Sequence, residues 1–403
     1  MEASAMRVRM SVRLLYLALA VGIAAFALTG LQAAACSQHY TMIPRGNYTL
    51  LTLAGVNNYN AYIGGLQDGA AAMISPMLWN LVGGSGNVTM VLSGGHLYVY
   101  INVTGVSRAI KFTPVVGFPD IMYGWYSWGP FYTRTSSYGF LSLPMPASEV
   151  PDLWSVVNYS LSLSRGAYND FSYDIWLVRS PGATSLGPSD VELMLWMYAN
   201  QSLAGLPYWV TWRPVTMPTL INGTIKNVTY QVFILPRNGG PSGWMLIILI
   251  PEVNESGGQY HGLLKGEYGV DLGELMNETL NIIGEFNGTQ WEQGLYLSVI
   301  QLGAEVDAPG GDMMMNFNVS SWYLVNGSPT NLCSATTTTT SATASQLTST
   351  TSVSAPAAST SHATTSISSV RPAKAHEVEE LLVPVVVAVV ALIAALALLT
   401  KRR

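Results

Sequence analysis

The sequence predicts an all-β body of two stacked antiparallel sheets with one packed helix, followed by a C-terminal transmembrane helix. Three observations predict it. Residues 37–333 hold many short runs rich in Val, Ile, Leu, Tyr and Thr, broken by Gly, Pro and Asn at the spacing of a sandwich or barrel. Leu272 to Phe286 alone carries a helical period, with Leu272, Leu275, Met276, Leu280 and Ile283 on one side and a negative flank. Leu381 to Thr400 is 20 residues without a charge, closed by Lys401-Arg402-Arg403. At about 1.5 Å per residue it crosses the roughly 30 Å hydrocarbon core, and the basic cap stays inside.

The clearest strand runs are Val88–Leu92, His96–Val103, Ile110–Val116, Ser155–Leu163, Tyr173–Val178, Val191–Tyr198, Thr229–Leu235 and Trp244–Ile250. No internal repeat is visible. Gly64-Gly65 and Gly239-Gly240 read as turns.

The rest of the chain divides by composition. Arg7, Arg9 and Arg13, the apolar Leu14 to Leu28 and the small residues Ala33-Ala34-Ala35 read as an export signal over 1–35, with a retained membrane helix or a lipoprotein signal ending at Cys36 as alternatives. The body is 36–333. Ser334 to Val370 is nearly all Ser, Thr and Ala, an extended stalk composition, and 371–380 is a juxtamembrane segment before the helix at 381–400 and the cytoplasmic tail at 401–403. The body is then expected at the cell surface, on the extracellular side. Of 21 Asn, 12 lie in N-x-[ST] sequons, which fits export and glycan attachment. Cys36 and Cys333 bracket the body, and a disulfide between them is expected in that compartment, with unpaired thiols as the alternative.

Charge narrows the function. Charged residues are 10% of the 403, and Lys+Arg 18 against Asp+Glu 23 gives a net charge of −5. That excludes the concentrated basic surface of a nucleic-acid binder. Two Cys and five His are too few and too scattered for a zinc-type cluster. G-x-S-x-G and Gly-rich phosphate loops are absent, and His96 and His261 lie in ordinary contexts.

With so few charges, acids inside strands stand out. In Val191-Glu192-Leu193-Met194-Leu195-Trp196-Met197, period 2 puts Glu192, Met194 and Trp196 on one face and a plain core set on the other. The first face suits a cleft that stacks sugar rings; the alternative is an exposed outer face. In Gln301-Leu302-Gly303-Ala304-Glu305, residues Gln301, Gly303 and Glu305 share a face if no bulge intervenes, and Gly303 lets a chain or a ligand approach. The alternative there is a solvated strand end. Asp174 shares a face with Trp176 among apolar residues, where an acid costs several kcal/mol unless paired or protonated. Two carboxyls on facing strands beside aromatics fit glycoside hydrolysis. An aspartic-protease dyad also needs two, but its Asp-Thr/Ser-Gly loops are absent.

Four segments in chain order resemble glycoside hydrolase family 12, the compact endo-β-1,4-glucanases. Glu192-Leu193-Met194-Leu195-Trp196-Met197 is similar to the family's nucleophile strand, and Gln301-Leu302-Gly303-Ala304-Glu305 to its acid/base strand. Tyr173-Asp174-Ile175-Trp176-Leu177 resembles the strand whose Asp hydrogen-bonds the nucleophile, and Gly117 to Gly124 resembles its Tyr-Pro-[Glu/Asn]-x-x-Tyr-Gly segment. The resemblance covers about residues 40–330. It implies a β-jelly roll sandwich, monomeric, whose concave sheet binds β-glucan without cofactor or metal. It implies Glu192 as nucleophile, Glu305 as acid/base in a retaining scheme and Asp174 as the residue that tunes Glu192. Trp196, Met194, Trp125, Trp128 and Trp209 are candidates for sugar contact, each with a core role as the alternative for the indoles. The family's Asn-Asn-x-Trp-Gly segment survives only as Asn57-Asn58-Tyr59-Asn60, so Asn58 and Tyr59, or else Tyr62, stand in for its missing Trp. Pro207-Tyr208-Trp209 replaces a smaller family pattern and adds an aromatic. The competing readings are a non-catalytic carbohydrate-binding surface protein and an anchored acid protease.

Overall fold

The computed structural model describes residues 37–53, 60–111, 113–127, 141–238, 240, 242–253 and 261–330. Most strands pair in one continuous ladder that folds into two layers, and Ala167–Tyr168, Val306–Asp307 and Val115–Gly117 form a separate three-stranded sheet. The outer layer is Tyr48–Leu53, Leu81–Ser93, His96–Arg108, Met313–Asn326, Leu153–Arg165, Lys265–Asp271 and Val215–Ile221, all antiparallel. The inner layer is Tyr62–Gly65, Ala71–Ser75, Asp120–Gly124, Tyr296–Gly303, Asp170–Val178, Val191–Ala199 and Trp244–Pro251. The long strand Thr224–Asn238 belongs to both: residues 224–230 pair with Val215–Ile221, and residues 230–238 pair with Trp244–Pro251. Val191–Ala199 beside Trp244–Pro251 is a parallel pair. This two-sheet sandwich with one helix is consistent with the jelly roll that the resemblance implies.

Alternation explains the layering. Val99 and Ile101 of the outer layer and Ile121, Ile175, Leu193 and Leu195 of the inner layer point between the sheets and form one buried apolar cluster. Each such side chain contributes roughly 1.5–3 kcal/mol by leaving water. The helix, Leu272–Asn287, covers one end with Leu272, Leu275, Met276 and Ile283. Asp271 caps it by accepting hydrogen bonds from the Gly273 and Glu274 amides at 2.9 and 3.3 Å. Gly288, at φ 98°, ends it.

The expected strands are present with one shortened. Among the described residues of Ile110–Val116 only Val115 and Val116 are in a strand, Val115–Gly117, and Ile110 is held in a bend by Asn80: its amide donates to Asn80 Oδ1 at 2.6 Å. Gly64-Gly65 is no turn but the end of the Tyr62–Gly65 strand, where a Cβ on Gly64 would meet Pro44 at 2.4 Å.

Ser37 and Asn326, near the two ends of the body, come together: Gln38 pairs with Asn326 and Ser37 Oγ donates to Ser328 O at 2.7 Å. Cys36 and Cys333 themselves, the signal, the stalk and the membrane segment lie outside the described residues. Among the described residues no helix is long and apolar enough to cross a membrane. Eleven of the sequon Asn are described, and none is buried; Asn87, Asn102, Asn158 and Asn318 sit in outer-layer strands.

Candidate active site

The outward face of the inner sheet is where polar residues collect, and the strand register sets them in three rows. The first runs Ser75, Asp120, Gly303, Ser172, Trp196. The second runs Met73, Met122, Gln301, Asp174, Met194, Ile248. The third runs Gly124, Val299, Trp176, Glu192, Leu246. Acids therefore stand on an apolar floor that includes Trp176, Met194 and Trp196. The expectation that Glu192, Met194 and Trp196 share a face away from the core holds, and the alternative of an exposed face does not. Trp196 is buried, and Glu192 is only 9% exposed.

Glu192 is held by two donors. Its Oε2 accepts from Trp244 Nε1 at 2.6 Å and from Asn238 Nδ2 at 3.1 Å. Trp244 in turn meets Trp176 edge-on at 5.4 Å. Burial pushes the Glu192 carboxyl up to about 7; the Trp244 and Asn238 bonds oppose this, and the Glu305 charge adds to it. Trp244 and Asn238 escaped the sequence reading. Trp244 is only the first residue of the strand run Trp244–Ile250, and Asn238 only the residue before Gly239-Gly240.

Glu305 sits just past the end of its strand. Between the pairs Ser172–Gly303 and Tyr168–Val306 the register slips by one residue, and Glu305 falls in the slip against Asn169 and Asp170. The shared-face condition thus fails in the backbone, yet the carboxyl still reaches the site. Its Oε2 accepts from Asn169 Nδ2 at 2.7 Å, and Gln201 Nε2 orients that amide by donating to Asn169 Oδ1 at 2.9 Å. Glu305 is half-buried, not a solvated strand end. Burial raises its proton affinity, and bonds from Asp170 and Asn169 lower it. Gly303 admits chain, not ligand: a Cβ there would meet Pro119 O at 2.4 Å and Asp120 Cβ at 2.8 Å.

Asp174 is 7% exposed, and its Oδ2 accepts from Gln301 Nε2 at 3.2 Å. The resemblance implies a hydrogen bond from Asp174 to Glu192. The register instead puts Asp174 opposite Met194 and Trp176 opposite Glu192, so the two acids are diagonal and interact through charge. Burial raises Asp174 well above the carboxylate range, and the charges of Glu192, Glu305 and Asp120 raise it further. Asp120 is fully buried with no hydrogen-bond donor to either oxygen among the described residues, and burial raises it likewise. Among the described residues no basic group is a cause of the shifts at Asp120, Asp170, Asp174, Glu192 or Glu305. Among the described residues no group of His, Cys, Asp and Glu is arranged to hold a metal ion.

The remaining candidates divide. Trp209 is partly buried and packs against the floor, as the sequence places it. Trp125 is committed elsewhere: its Nε1 donates to Ala183 O at 2.8 Å and pins the 179–190 loop. Tyr62 is stacked on Tyr48 at 3.7 Å and packs on the core, so it does not replace the missing Trp. Trp128, Asn58 and Tyr59 lie outside the described residues. Surface hollows lined by Arg179–Asp190 residues and by Pro146, Asn277 and Tyr296 contain none of the five acids.

No protein-family model matches the sequence, and no curated protein does. Solved structures do resemble the fold, and they are family 12 glycoside hydrolases. A xyloglucanase from Bacillus licheniformis is 18% identical, with 70% of this chain and 100% of that chain covered and a TM-score of 0.46. Endoglucanase 3 from Trichoderma harzianum is 16% identical over 69% of this chain and 98% of its own, with a TM-score of 0.44. An endoglucanase from Rhodothermus marinus is 17% identical over 69% and 99%, with a TM-score of 0.44. Likeness of this degree leaves activity to be argued from the site itself.

Proposed function

We propose that this chain is an endo-β-1,4-glucanase that hydrolyses β-glucan with retention of configuration. The observation that carries the reading is the pair Glu192 and Glu305. Each is desolvated, each is steadied by an Asn donor, and the Glu305 charge acts on Glu192. Glycoside hydrolysis by double displacement needs one carboxylate and one carboxylic acid at the same pH. A pair whose charges oppose each other gives up its protons in two steps and passes through that state.

In the first displacement a Glu192 oxygen bonds to the anomeric carbon, the glycosidic C–O bond breaks, and the Glu305 proton goes to the leaving oxygen. In the second, water attacks the anomeric carbon, its proton returns to Glu305, and the Glu192 ester bond breaks. Trp244 and Asn238 orient Glu192 for attack, and Asn169 fixes Glu305. Trp209, partly buried on the floor, gives the site an apolar ring face of the kind sugars stack on, while Trp176 and Trp196 are buried in that floor. The export signal, stalk and C-terminal apolar segment fit a surface-anchored enzyme, and the accessible sequons fit a glycosylated one.

The test is release of reducing ends from soluble β-1,4-glucan, unbranched and xylosyl-branched, by the full chain, with Glu192→Ala as control. Release lost in the control supports the reading. Binding without release moves the assignment to a carbohydrate-binding surface protein. The anomer formed first, read by NMR, decides retention against inversion.

A further inference from the structure

One carboxyl in the site has no part in the scheme above. Asp170 lies at the start of the strand that carries Asp174, and it is completely buried. Its Oδ1 accepts from Ser172 Oγ at 2.7 Å, while Oδ2 meets no conventional donor among the described residues. What stands against it is Glu305: the register slip sets that residue opposite Asn169 and Asp170, and the Asp170 and Glu305 carboxyls act on each other directly. The loop is fixed at the same place, because the Asn169 amide donates to Glu305 O at 2.9 Å and the Asn200 amide to Asn169 O at 3.1 Å.

Two carboxylates in contact and out of water cannot both ionise, so a proton must lie between them. The other groups on the surrounding elements do not relieve this. Asp174 is on the same strand, and Asp120 lies across Gly303. Ala199 is the cross-strand partner of Asp170, with His261 one strand beyond and Tyr198 beside it.

We propose that Asp170 is a positioning residue for Glu305 that shares one proton with it and keeps the pair singly protonated to higher pH than Glu305 alone would allow. The inference rests on the glycosidase reading for its catalytic meaning. It explains why an acid is kept where an amide would be satisfied at lower cost. The shared proton is the one that Glu305 gives to the leaving oxygen; the pair is then doubly anionic, and its charge draws the proton of the attacking water back to Glu305. Burial raises the proton affinity of both carboxyls, and the proton they share is on Glu305 when the leaving oxygen takes it.

The experiment is the pH profile of kcat/KM on soluble β-1,4-glucan for the full chain and for Asp170→Asn, which keeps size and a donor but removes the charge. The alkaline limb is expected to move down by about one pH unit or more, as a like charge is removed, with KM little changed. Asn169→Ala, which removes a bond that favours the Glu305 anion, is expected to move it up. A uniform loss of rate with neither limb displaced would overturn the proposal. Infrared titration of the carboxylic C=O band gives a second readout independent of activity, and it also shows whether the Asp170→Asn variant is folded. One protonated carboxyl that persists above the ordinary carboxylate range in the full chain and is missing in Asp170→Asn supports proton sharing. No difference refutes it. If the chain hydrolyses no glucan but the band difference is present, the shared proton stands and the glycosidase reading fails.

Discussion

The two outward faces of the sandwich follow the same alternation and end in opposite states. On the outer sheet, Asn87, Asn102, Asn158 and Asn318 point away from the core and reach solvent. On the inner sheet, Asp120, Asp174 and Glu192 also point away from the core, yet they are 0%, 7% and 9% exposed. An outward polar residue in a strand usually means only that the face is wet. Here the inner face is both polar and dry. A protein bears the cost of desolvating several acids where they do work, so the contrast between the faces locates the site better than either face alone.

The largest expected effect breaks the inner face. Glu192→Ala should abolish glucan hydrolysis, and Glu305→Gln should lower kcat by roughly 10²–10⁴, measured as reducing ends per enzyme. Next comes the floor. Trp196→Ala removes a side chain that is 2% exposed, and chemical denaturation should show a loss of about 3–5 kcal/mol. The dryness itself has a pH signature. Burial raises the folded-state values of Asp120, Asp174 and Glu192. Such groups contribute stability that is full below their unfolded value, about 4, and is lost as pH rises through the folded value. For Glu192, raised from 4.5 to about 7, that is on the order of 3 kcal/mol between those limits. The melting temperature should therefore fall from pH 4 to pH 8. Asp120→Asn should flatten that fall, and a slope equal to that of the unaltered protein would contradict the account. The smallest effect belongs to the outer face. Asn102→Gln should change stability by no more than about 0.5 kcal/mol, and loss of a glycan mass from that peptide would sharpen the comparison by marking this face as the modified one.

Much of this was legible in order along the chain. Strand alternation was enough to separate Leu193 and Leu195 from Glu192 and Met194, and the helical period over Leu272–Asn287 stood alone among strand patterns. Acids in otherwise apolar strands announced themselves because charge is scarce. What was not legible depends on pairing. Asn238 and Trp244 converge on Glu192 only because Thr224–Asn238 pairs with Trp244–Pro251, which in turn lies parallel to Val191–Ala199. Trp125 is one of the sugar-contact candidates by sequence, with a core role as the alternative, and its N–H is committed to Ala183 O.

The sequence by itself determined which residues face the same way, because the two-residue period of a strand is a local property of its backbone. It could not determine which faces are covered, nor which strand lies beside which, because those depend on contacts between segments far apart in the chain. Asp170 and Glu305 show the division. Each could be seen as an acid near a strand, but a one-residue slip in register, closed by the Asn169–Glu305 backbone bond of 2.9 Å, decides that they touch. A slip of that size is set by how two strands 130 residues apart fit a common turn in the sheet, and only the folded chain settles it.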